Sequence, residues 1–304
     1  MKNILIVINP KAGEGIEPEF ESQVKAHCDA QDVEYKIYWT NGKDDSRQIS
    51  ALLDQSNFDA VFSAGGDGTF TQVAELLHGK DVKVGIIPMG TSNGLASDLG
   101  LDSKPFQAFK NLLESSHSLN LDQIVVNDQK SLYHIGDIGA NASLIKRFES
   151  SGDSGYAAYA KHIIEEIKAE EAFNYEIETP TDAYTGSARM IAICNARRFG
   201  TKVALNHQSN PADGVFELIV FREIDLKTLV ESGLSSIWQG FDELTSEKKV
   251  VIQTKKARVK ISPGTLFQID GELQGDVQEL KFELHEGVID LLCQGNCPYL
   301  SSSD

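Results

Sequence analysis

Phe62-Ser63-Ala64-Gly65-Gly66-Asp67-Gly68-Thr69-Phe70 is the stretch on which the reading of this chain turns. Ahead of it, Phe58-Asp59-Ala60-Val61-Phe62 is a short apolar run that passes into small residues, the mark of a buried strand. Gly65, Gly66 and Gly68 then turn the backbone sharply and leave no side chains over it. From Thr69 onward Val73, Leu76 and Leu77 recur at helical spacing. A strand, a glycine turn and a helix start together make an anion site, because free N–H groups and the helix dipole converge on one spot. Asp67 has no place beside a bare phosphate, since like charges repel. It fits if Mg²⁺ lies between the carboxylate and the phosphates. The plainer reading is a tight strand-to-helix turn without a ligand.

The bulk of the chain narrows the partners. Its 304 residues suit two domains, and 41% hydrophobic with 24% charged residues is an ordinary globular composition. A net charge of −17 offers no basic field for nucleic acid and argues against standing attachment to an anionic membrane. No apolar run approaches the ~20 residues of a spanning helix. The start, Met1-Lys2-Asn3-Ile4-Leu5-Ile6-Val7-Ile8, reads as a strand and not as a signal peptide. Cys28, Cys194, Cys293 and Cys297 are too sparse for a disulfide framework and read as free thiols of a cytoplasmic protein. The seven histidines form no metal-binding pattern.

In the first 120 residues strands and helices alternate. Strands are expected at 4–8, 34–39, 58–62 and 82–88, and helices at 17–30, 45–53, after the glycine turn, and near 92–99 and 105–113. This predicts a doubly wound parallel sheet, whose ligands bind outside the carboxyl ends of its strands. The loops at those ends carry unusual chemistry. In Asn9-Pro10-Lys11-Ala12-Gly13, Pro10 stiffens the strand exit, Gly13 lets the backbone bend toward a ligand, and Lys11 offers a point charge to phosphate. Thr40-Asn41-Gly42-Lys43 is a good turn in its own right. In Met89-Gly90-Thr91-Ser92-Asn93-Gly94 the small polar side chains can cap a helix or donate to phosphate.

After residue 120 the texture changes to strands, expected at 123–126, 131–138, 173–178, 187–194, 215–221, 250–254, 258–261, 266–269, 279–284 and 288–292. The run predicts a β-sandwich-like second domain, with helical inserts near 156–169 and 226–238 and a frayed tail at 301–304. The division is placed at 1–120 and 121–304. Phe267-Gln268-Ile269-Asp270-Gly271-Glu272-Leu273 contains the leading short-range hairpin signal, Asp-Gly between alternating apolar residues. A kinase acting on an alcohol also needs a base for the hydroxyl proton, and a carboxylate on a turn can supply one. The two readings are compatible. Asp213-Gly214 is a second such turn.

With these motifs in this order, nearly the whole chain resembles the diacylglycerol kinase catalytic superfamily, which includes bacterial lipid kinases and sphingosine kinases. The resemblance implies an NAD kinase-like nucleotide domain, ATP and Mg²⁺ as cofactors, a lipid hydroxyl such as that of diacylglycerol as acceptor, and an active site in the interdomain cleft. Carried over residue by residue, Asn9, Pro10, Lys11, Gly13, Thr40, Gly65, Gly66, Asp67, Gly68, Thr69, Gly90, Thr91 and Asn93 hold the nucleotide. Asp270 is the base, with Glu272 assisting through metal or water. Asp122 matches an acidic position of the active-site network, and Asp213 matches a Mg²⁺ site outside the reaction centre. Ile135-Gly136-Asp137-Ile138-Gly139-Ala140-Asn141-Ala142 looks like the family's glycine-rich lead into the second domain. Gly94 departs from the pattern, which has Asp there. Membrane contact would be transient, and a homodimer stays open. Two rivals stand beside this reading. An NAD kinase usually carries an Asn-Glu pair, which this chain lacks. A nucleotide- or lipid-binding protein without catalysis would be consistent with Gly94.

Overall fold

The computed structural model describes residues 1–13, 15, 19–139, 142, 172–199, 203–222 and 249–300. The chain forms two compact units, Met1–Asp122 with Glu286–Asp304, and Gln123–His285. The end of the chain therefore belongs with the N-terminal unit, whereas the sequence division assigned all of 121–304 to the second. The reason lies in the last strand. Leu291 pairs in parallel with Val84, and the Ser115 hydroxyl donates to the Cys293 carbonyl at 2.6 Å.

The first unit alternates as predicted: β1 (Asn3–Ile8), α1 (Phe20–Gln31), β2 (Glu34–Trp39), α2 (Asp45–Gln55), β3 (Ala60–Gly65), α3 (Asp67–Leu77), β4 (Lys83–Pro88), α4 (Gly94–Asp98) and α5 (Pro105–Leu113). The strands pair in parallel in the order β2-β1-β3-β4. β1, β3 and β4 are almost wholly buried, as strands covered on both faces must be. β2 lies at the edge and leaves Trp39 exposed. Right-handed crossovers put α1 on one face and α2 and α3 on the other. The packing agrees, α1 lying on α5 and α2 on α3. The chain reverses its direction of travel across the sheet between β1 and β3. The carboxyl ends of these two strands therefore flank a topological switch point.

The second unit is antiparallel. β5 (His117–Val126) leads into it and β6 (Lys130–Leu132) turns back on β5. There follow β7 (Ile135–Gly139), β8 (Phe173–Glu178), β9 (Ala183–Ala188), β10 (Met190–Cys194), the short pair β11 (Arg198–Phe199) and β12 (Val203–Ala204), β13 (Phe216–Phe221), β14 (Lys249–Thr254), β15 (Lys256–Ile269) and β16 (Glu272–Cys293). The order is β14-β13-β10-β7-β15-β16, with the β8–β9 hairpin added along β15. Its core gathers Ile138, Tyr175, Ile193, Val259, Phe267 and Phe282.

Several strand expectations merge or divide. The stretches 258–261 and 266–269 are one strand, β15, which runs through Ser262-Pro263-Gly264 with a register shift between Lys260 and Thr265. Proline lacks a ladder donor, so a continuing strand accommodates it with an irregularity. The stretch 131–138 divides at Tyr133 and His134, between β6 and β7. The helical stretches near 156–169 and 226–238 and the tail lie outside the described residues. All four cysteines are buried free thiols.

Glu217 on β13 is a buried acid, 2% exposed. Its carboxylate accepts the Ser209 hydroxyl at 2.5 Å and the Gln253 amide at 3.2 Å. Burial raises its proton affinity above the ordinary value of 4.5, Asp213 adds to this, and the two hydrogen bonds only partly oppose it. As pH climbs above 4.5, the unfolded chain loses this proton before the folded protein does. Folding then binds a proton, so stability falls as pH rises through that window. Glu217→Gln is therefore expected to flatten the loss of thermal stability as pH rises above 4.5. Melting temperatures across that range measure it, and an unchanged slope refutes it.

Candidate active site

Three loops meet at the carboxyl ends of β1, β3 and β4. The Met89 and Gly90 N–H groups both donate to the Gly65 carbonyl, at 2.9 and 3.2 Å. A Cβ on Gly90 would stand 2.5 Å from the Gly66 Cα, and one on Gly13 would stand 2.4 Å from the Met89 carbonyl oxygen. Gly13 also has φ +55°, which favours glycine. Gly65 faces the Thr69 side chain, where a Cβ would approach Oγ1 to 2.3 Å. The Asn9 amide donates to that same Oγ1 at 3.2 Å, so the first loop and the glycine turn share a contact. Asn93, at φ +47°, closes the third loop on itself: it accepts the Gly90 N–H at 2.8 Å and donates to the Gly90 carbonyl at 2.6 Å.

The glycines thus divide by function differently from the sequence reading. None of Gly65, Gly66 and Gly68 has positive φ. Gly65 and Gly66 serve close approach. Gly68 is exposed in the first turn of α3. The first N–H groups of a helix have no intrahelical partner, which in α3 leaves those of Asp67 and Gly68 directed outward.

Beside the turn lies an open concavity of about 590 Å³, lined by Asn9, Lys11, Thr40, Ser46, Arg47 and Gln72, together with Asn41, Gly42, Asp44 and Asp45. Lys11, Asn9 and Thr40 were expected there. Asp45, Arg47 and Gln72 were not. Asp45 is buried and fixes the wall: it accepts the Tyr38 hydroxyl at 2.8 Å, the Asn41 N–H at 3.0 Å and the Gly42 N–H at 2.7 Å. Burial pushes its carboxyl up, but the three donors outweigh that and hold it below the ordinary value. Tyr38 is pushed up to about 12 by burial and by Asp45. The sequence did carry a signal, since a carboxylate at a helix start three residues after Gly42 is a ready partner for turn N–H groups.

Asp67 has work of its own. Its carboxylate accepts the Gly94 N–H at 3.1 Å and the Leu95 N–H at 3.4 Å, tying the glycine turn to the start of α4. Two of its roughly four lone-pair sites are thereby engaged, which leaves room for Mg²⁺. The bond uses the backbone of residue 94, so glycine there in place of the family's Asp does not disturb it.

In the second unit Asp270 and Gly271 have φ +48° and +89° and join β15 to β16, with Ile269 opposite Glu272. This is the two-residue hairpin that Asp-Gly signals. The carboxylate does more than turn the chain. It accepts three consecutive N–H groups, Tyr133 at 3.1 Å, His134 at 3.1 Å and Ile135 at 3.0 Å. The Asn195 side chain holds the same segment from its other side by donating to the Tyr133 carbonyl at 2.8 Å. Glu272 is exposed.

The remaining candidates are placed apart by their partners. Asp122 is buried and accepts the Gly287 N–H at 2.7 Å. Asp213 stands at the surface and accepts the Val215 N–H at 3.2 Å; desolvation raises its carboxyl above the ordinary value. Among the described residues no three His, Cys, Asp or Glu side chains gather to hold a metal ion.

A model of the diacylglycerol kinase catalytic domain matches residues 3–124, and one of the YegS C-terminal NAD kinase beta sandwich-like domain matches residues 138–293. The diacylglycerol kinase of Bacillus subtilis is 23% identical over 279 residues, which cover 90% of this chain and 91% of that one. A Salmonella arizonae protein named "Probable lipid kinase YegS" is 23% identical over 305 residues, 97% of each chain. The crystal structure of a diacylglycerol kinase from Bacillus anthracis superposes with a TM-score of 0.69 at 18% identity, covering 97% of this chain and 98% of that one, which is a likeness of fold.

Gly68→Val and Gly90→Ala separate ligand from architecture. Gly68 is exposed and has no positive φ, so its valine variant should keep the wild-type melting temperature and lose ATP binding by about tenfold or more if phosphates sit over the α3 N-terminus. Gly90→Ala should lose stability, because its Cβ would meet backbone. Calorimetric titration with ATP and thermal melts check both. Unchanged ATP affinity in folded Gly68→Val would show the turn to be structural only.

Proposed function

The chain belongs to the lipid kinase family that joins a diacylglycerol kinase catalytic domain to a YegS C-terminal domain, and from that premise we propose that it transfers the γ-phosphoryl group of ATP to a lipid hydroxyl of the diacylglycerol type. The observation that carries the reading is the lock of three loops around an outward-facing helix start, beside a concavity lined by Asn9, Lys11, Thr40 and Arg47. Phosphoryl transfer needs little covalent help from the protein. It needs positioning and charge stabilisation. In this reading the α3 N-terminus and Lys11 hold the polyphosphate, and Asn9 and Thr40 orient the nucleotide. Asp67 would hold Mg²⁺, which when bound neutralises charge developing on the phosphates. Asp270 accepts the proton of the attacking hydroxyl. Three N–H donors fix its carboxylate plane.

No described helix is long and apolar enough to cross a membrane. The proposal is therefore of a cytoplasmic enzyme that meets its lipid by transient contact, its acidic surface disfavouring a long stay on anionic bilayers.

Turnover of Mg–ATP over diacylglycerol, monoacylglycerol, a sphingoid base and NAD tests the assignment. Transfer to a lipid and none to NAD is expected, and transfer to NAD alone overturns it. Asp270→Asn should cut kcat by about 10²–10⁴-fold with affinity for ATP kept. Asparagine keeps the turn but sets an NH₂ group against at least one of the three N–H donors, at a cost of about 1–3 kcal/mol. The melting temperature must therefore be read alongside the rate. Asp67→Asn should weaken Mg–ATP binding more than ATP binding without metal, and equal loss of both would refute the metal role.

A further inference from the structure

Behind the Asp270 turn lies a buried polar chain that the reaction as described does not use. Gln268 is fully buried and Asp137 is 1% exposed. They stand opposite each other across β15 and β7. The Gln268 Oε1 accepts the Gly271 N–H at 2.7 Å, and its Nε2 donates to the Asp137 carboxylate. The other Asp137 oxygen accepts the Ala142 N–H at 2.8 Å. Partner chemistry fixes the amide's orientation: an N–H can face only the oxygen end, and a carboxylate only the nitrogen end. Gly271 is the second residue of the hairpin whose first is Asp270. Tyr133, His134 and Ile135, at the entry to the same strand β7, grip the Asp270 carboxylate, and the Asn195 N–H donates to the His134 carbonyl at 3.0 Å. The turn is thus held at both of its residues.

We propose that Gln268 is the positioning residue for Asp270: anchored by Asp137, it holds Gly271 so that the Asp270 carboxylate keeps the plane in which it takes the acceptor's proton. This rests on the reading of Asp270 as the base. An isolated β-hairpin would tolerate many residues at 268. A general base must hold its geometry within fractions of an ångström, and buried, satisfied polar chains supply that rigidity.

The decisive variants exchange amide and acid. Gln268→Glu keeps an acceptor for Gly271 but sets a carboxylate against Asp137. Adding Asp137→Asn restores a donor–acceptor pair with the charge moved across it. Using 1,2-dioctanoylglycerol in detergent micelles, Gln268→Glu should lower kcat by about tenfold or more while KM for Mg–ATP stays within about twofold, the double variant recovering most of it. Amide hydrogen exchange gives a readout independent of turnover. In full-length Gln268→Glu the amides of Tyr133, His134 and Ile135 should exchange about tenfold faster than in the wild type, and in the double variant at near the wild-type rate.

A folded Gln268→Glu protein with wild-type kcat and wild-type exchange at those amides overturns the proposal. So does a double variant that regains the melting temperature without regaining kcat, since that marks a structural role only. If Gln268→Glu does not fold, Gln268→Met removes the contact without adding charge and is held to the same two readouts. Asp270→Asn, run in parallel, keeps the premises apart. Its loss of kcat beside an unaffected Gln268→Glu refutes the positioning role alone, whereas wild-type turnover in folded Asp270→Asn refutes the base and the positioning role with it.

Discussion

The backbones of Gly66 and Gly90 approach so closely that Gly90 could not carry a side chain without displacing the loop of Gly66, while a Cβ on Gly66 would stand 3.3 Å from the Gly90 Cα. The rest of the first unit follows from satisfying that contact. β3 and β4 must be parallel neighbours for their carboxyl ends to release these loops side by side. Pairing continues past the sheet, with Gly65 opposite Pro88 and the Gly65 carbonyl taking two further N–H groups. Gly13 then seals the third side against Met89. A parallel sheet with its switch point between β1 and β3 brings all three loops to one rim, and the glycines let them touch.

To hold a polyphosphate as proposed, that rim has to attract anions in a protein of net charge −17. Local electrostatics decides here, because screening over about 10 Å mutes the distant charge. Two carboxylates near the rim are engaged by donors of the chain itself, Asp45 by Tyr38, Asn41 and Gly42, and Asp67 by Gly94 and Leu95. Their negative charge is spent on holding loops. What faces outward is the α3 helix start with Lys11 and Arg47 on the concavity. In the proposed reading the site accommodates phosphate less by adding cations than by tying up Asp45 and Asp67 with donors of the chain.

What could be read from the residues was what depends on neighbours in sequence. The strand–turn–helix at Gly65–Thr69, the alternation of the first unit and the Asp-Gly hairpin all rest on local periodicity and turn chemistry, and the structure has them. Asp45 was half legible, as a helix start but not as the clamp of the loop before it. The three N–H groups on Asp270 were not legible, because Tyr133, His134 and Ile135 lie more than a hundred residues away and a backbone N–H has no signature in sequence. The return of the last strand to β4 was hidden for the same reason, Leu291 being one apolar residue among many. Ser262-Pro263-Gly264 misled in the other direction, since its turn chemistry is real but the antiparallel ladder runs on through it.

Asp270 shows why a structural and a catalytic reading of one residue need not compete. A hairpin turn is among the few places where a carboxylate can stand clear of a sheet while its backbone stays fixed by pairing on both sides. The φ of +48° that the turn demands is one that aspartate tolerates and most residues do not. The same side chain then needs acceptor geometry for three N–H groups, which a carboxylate meets and an amide meets only in part. Turn, grip and the proposed proton acceptance each favour aspartate for a different physical reason. The hairpin is thus the device that places the acid.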